Sequence, residues 1–178
     1  WAAKRMKSAR RAEMGPMSDW QNFFVAQVGA SAALLGLLFV SMSINLNKIL
    51  AFSALPNRAL GALLTLLVVL IVSSLLLTPG QPMTLVGAEV LLIGLCAWSA
   101  ITLFDVNTWR NTDRAAAFRS RLRILFAINQ LAALLYIVAG LVILTSGIAG
   151  LYWLVPAFVC SFCRATMDAW VLLIEINR

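Results

Sequence analysis

This sequence of 178 residues predicts an all-α fold, a polytopic membrane helix bundle. Three observations predict it. The chain is 62% hydrophobic and 12% charged, with a mean hydropathy of +0.91, which lies outside the range of soluble domains. Leu60 to Thr78 (LGALLTLLVVLIVSSLLLT) carries no charge, and about 20 apolar residues rising 1.5 Å each cross a hydrocarbon core about 30 Å thick. Similar runs recur along the chain, and the longest polar stretch between them, Asp105 to Arg123, is too short for a soluble domain.

Taken in order, the first span runs from about residue 23 to 46, too long and too far from the start for a cleavable signal. The second covers 59–78 and is stopped by Pro79 and Gly80. The third covers 85–104, with Glu89 near its start. From Ile124 to Cys163 there is no charge for 40 residues, about 60 Å as one helix, so this stretch crosses twice. Gly147 and Gly150 in SGIAG are the expected turn, giving a fourth span over 124–146 and a fifth over 151–175. Residues 17–178 then form a single transmembrane domain of five helices, with a four-helix arrangement as the rival.

Orientation follows from basic residues. The linker after span one holds Lys48 and Arg58, the linker after span three holds Arg110, Arg114, Arg119, Arg121 and Arg123, and the other two hold none. The positive-inside rule puts the two basic linkers in the cytoplasm, the N-terminus outside and the C-terminus inside. Lys4, Arg5, Lys7, Arg10 and Arg11 resist that assignment. Met14 and Met17 stand just before the first span, so residues 1–16 are expected to be a non-native or upstream segment. Removing residues 1–13 takes away five positive charges and one negative, lowering the net charge from +7 to +3. That removes the main argument for nucleic acid as a partner. The five linker arginines suit contact with anionic lipid.

Ala26, Gly29, Ala33, Gly36, Val40 and Ser43 recur every three or four residues, forming a small-residue seam of the kind that lets helix backbones approach in lipid. It is expected to pack within the chain or, alternatively, to form a homo-oligomer interface. Ala133, Gly140 and Gly147 form a shorter seam on span four. Trp20, Tyr152 and Trp153 at outer ends, and Trp109 and Trp170 at inner ends, suit interfacial belts.

The stretches MSDWQNFFVAQVGASAALLGLLFVSMSINL, LPNRAL, LLLTPGQ, GAEVLLIGLCAW and DAWVLLIEINR resemble a family of small uncharacterised bacterial inner-membrane proteins, over about Met17 to Arg178. Members are sometimes labelled modulators of a membrane-anchored ATP-dependent protease. The resemblance implies a multi-pass protein of the bacterial inner membrane and a start near MSDW.

The chemistry is sparse. With no histidine, His-based acid–base, haem and metalloprotease schemes are excluded, and no glycine-rich phosphate loop is present. Cys160 and Cys163 form C-x-x-C inside an apolar span, without the context of a redox or zinc motif, and read as packing. No catalytic residue, metal or cofactor is expected, and the protein is read as a non-enzyme. The intramembrane polar candidates are Glu89, Asn129, Gln130, Arg164 and Asp168. Asn129 and Gln130 suit interhelical hydrogen bonds. Arg164 and Asp168 read as near mid-membrane, where each costs about 2.5–3.5 kcal/mol, while each Leu, Ile, Val or Phe of that span offsets only about 0.3–0.6 kcal/mol. Their i,i+4 spacing permits pairing on one face, shared with Ser161 and Glu175, and that face should turn inward. Two functions follow: a regulatory component that binds another membrane protein, or a small homo-oligomeric channel or transporter with Glu89, Arg164 and Asp168 along a polar path.

Overall fold

The computed structural model describes the backbone of residues 2–51, 55–110 and 116–176, and the side chains of 20–50, 56–57, 59–103, 106, 130–170 and 174. Within those limits every element is helical: α1 (Ala2–Ile44), α2 (Leu46–Ala51), α3 (Leu55–Leu76), α4 (Met83–Arg110), α5 (Ala116–Ser146), a 3₁₀ helix (Gly147–Trp153) and α6 (Leu154–Ile176). By length and composition, four segments can cross a membrane: Trp20–Ile44, Ala59–Leu76, Met83–Leu103 and Gln130–Trp170. The last holds 41 residues and reverses in the middle. Tyr136 and Ser161, which a straight helix would hold about 37 Å apart, touch at 2.9 Å. The bundle therefore has five long helices.

Gly147 makes that reversal, with a φ of 61° that side chains with a Cβ rarely adopt. The chain then tightens into the 3₁₀ helix, and Gly150 folds back so closely on α5 that a Cβ there would lie 2.4 Å from the Ile143 backbone nitrogen. Gly80, with φ 75°, turns the chain between α3 and α4. Asn45 separates α2 from α1, its Nδ2 donating to the Ser41 carbonyl at 3.0 Å. The basic linker after span three is largely helical, since α4 runs on to Arg110 and α5 begins at Ala116.

Helices α4 and α5 form the closest pair. Gly87 lies opposite Leu144, Leu91 opposite Gly140 and Gly94 opposite Ile137, so near-heptad steps down one helix match steps back up the other. A Cβ on Gly140 would meet the Leu91 backbone nitrogen at 2.6 Å, so the close approach expected of that seam is realised at Gly140; Ala133 is buried. Gly147 does not join it, having nothing within 4 Å.

Helix α3 is the centre, touching α1, α4 and α6. The largest buried cluster joins Phe24, Val72, Leu76, Val86, Ile143, Leu154 and Phe158. It lies in the half of the bundle nearest Trp20, the 77–82 turn and the 3₁₀ helix, here termed the upper end. At the lower end Ile49 and Ala59 form a small second cluster with Met42. Helix α1 is peripheral: 11% of its apolar window is buried, against 44% for α3. Its inward residues include Phe24 and Ser31. The expected intramolecular packing of its small seam is not what forms. Ala26, Gly29, Ala33, Gly36, Val40 and Ser43 are all exposed, and Gly29 and Gly36 have no atom within 4 Å of a built Cβ. In an all-apolar helix, phenylalanine burial at the upper end outweighs small-residue packing and turns the seam outward.

Candidate functional site

Arg164 and Asp168 lie on one face of α6, with Arg164 Nε 3.7 Å from Asp168 Oδ2 and the side chains 11% and 20% exposed. The inward orientation expected from spacing is observed. The Arg164 guanidinium lies over Gly61 of α3, its Nη2 3.5 Å from where a Cβ would stand. A glycine there leaves room for a broad planar cation. The depth differs from expectation: Gly61 is three residues from Arg58, about 4.5 Å along the axis, so the pair sits towards the lower end rather than mid-membrane. Long basic side chains near helix ends reach the interface at reduced cost.

Glu89 belongs to the opposite end. Gln81, in the turn before α4, donates from Nε2 to Glu89 Oε2 at 2.7 Å, and both residues are half-buried. This bond ties the turn to the second turn of α4. Gln130 links α5 to α4, donating from Nε2 to Thr102 Oγ1 at 3.1 Å, as its type and position suggested. The side chain of its neighbour Asn129 lies outside the described residues, as do those of Arg110, Arg119, Arg121, Arg123 and Glu175, and the whole of Arg114.

One polar contact was not expected. Tyr136 of α5 and Ser161 of α6 are both buried; Ser161 Oγ donates to the Ala157 carbonyl at 2.8 Å, which leaves the Tyr136 hydroxyl to donate to Ser161 Oγ at 2.9 Å. A tyrosine inside an apolar run followed by a serine on the next span was the available signal. Ser73 is also fully buried, on α3. Cys160 is half-buried and Cys163 exposed, and both are free thiols. Packing therefore accounts for part of Cys160 but not for Cys163, which faces outward. Trp20 and Tyr152 do share the upper end, in edge contact at 4.9 Å, and Trp170 is exposed.

The site residues thus fall into separate tethers: Gln81–Glu89 above, Tyr136–Ser161 between, and Gln130–Thr102 and Arg164–Asp168 towards the lower end. Each joins neighbouring turns or helices. The helical membrane-protein class is what this architecture defines. Compared with known proteins, the chain matches no protein-family model, no curated protein and no solved structure.

Proposed function

We propose that this chain is a non-enzymatic, partner-binding component of the bacterial inner membrane, and that α1 presents the binding face. One observation carries the reading. The helix with the best small-residue seam turns that seam away from its own bundle, where Gly29 and Gly36 have nothing within 4 Å. Close backbone approach is a main source of helix association in lipid, so an unoccupied seam suits a transmembrane helix of another protein. The sequence stretches that resemble a family of uncharacterised inner-membrane proteins, some of them labelled modulators of a membrane-anchored ATP-dependent protease, make such a protease the first partner to look for. The channel or transporter reading has less support, because Glu89 at the upper end bonds to Gln81 and Arg164 towards the lower end pairs with Asp168, so each charge is engaged within its own end of the bundle.

Photocrosslinking in intact membranes tests this. A photoreactive residue at Ala33 is expected to capture a different membrane protein, and Gly36→Leu to abolish that adduct while the bundle still inserts. Adducts with lipid alone would remove the reading, and adducts with the same chain would favour the homo-oligomer.

A further inference from the structure

We draw no further inference here: the strongest candidate, the cleft of about 350 Å³ between α1 and α6 beside the contact of Phe23 with Phe158, has walls that are apolar apart from Gln27, and nothing in the structure shows what covers it.

Discussion

Ser161 and Tyr136 share a chain of two hydrogen bonds whose ends are unequal. Ser161 has a second partner in the Ala157 carbonyl; the Tyr136 hydroxyl is buried against Ser161. Losing the tyrosine hydroxyl removes one bond and leaves the serine proton satisfied, whereas losing the serine hydroxyl strands a buried phenol. Tyr136→Phe is therefore expected to cost about 1 kcal/mol and Ser161→Ala about 1–3 kcal/mol, measured by reversible unfolding of the bundle in mixed micelles. The double change should cost less than the sum. At this scale the sequence was legible where spacing alone sets geometry. Arg164 and Asp168 face each other because four residues make about one helical turn. Tyr136 and Ser161 are brought together by a tertiary turn, and Gly61 answers Arg164 from another helix, so neither pairing has a local signature.

For whole elements, the spans and the turn at SGIAG were legible because length against bilayer thickness and the punctuation by glycine and proline are strong signals. Which face of α1 turns inward was not. Amphipathic periodicity identifies the core face of a soluble helix, but when every face is apolar it says little, and Phe24 rather than Gly29 takes the inside. The α4/α5 pair shows what a packed glycine does instead. A Cβ at Gly140 would meet the Leu91 nitrogen, Cα and Cβ at 2.6, 2.7 and 2.8 Å, and two of these are backbone atoms that cannot rotate away. Gly140→Ala is expected to destabilise the bundle by about 1–3 kcal/mol through overpacking, offset in part by the roughly 1 kcal/mol that alanine gains in helix propensity. Gly29→Ala meets nothing within 4 Å, so only the propensity gain applies and stability should hold or rise. Unfolding of both variants in one micelle system compares them; equal losses would mean that the two helices pack alike.

At the scale of the molecule, five passes put the turn 77–82, the 3₁₀ helix and Trp20 at one end, and Lys48, Arg58, the end of α4 at Arg110 and the start of α5 at Ala116 at the other. Helix α1 decides the count, because with four passes Trp20 would share a side with Lys48. The contacts of Trp20 argue for the crossing: it meets Tyr152 at 4.9 Å and stacks on Phe24 at 5.8 Å, both in the upper half, while Met42 reaches the cluster of Ile49 and Ala59 below. A helix bridging both ends of the bundle shares its depth. Single cysteines at exposed Asn22, Lys48 and Thr78 convert this into a measurement, once Cys96, Cys160 and Cys163 are changed to alanine. With the basic linkers in the cytoplasm, an impermeant maleimide applied to cells whose outer membrane has been opened should label Asn22→Cys and Thr78→Cys at once. It should label Lys48→Cys only after the inner membrane is breached. Labelling of Asn22→Cys together with Lys48→Cys would establish four passes, and labelling of Lys48→Cys first would invert the orientation and place the arginine-rich linker outside.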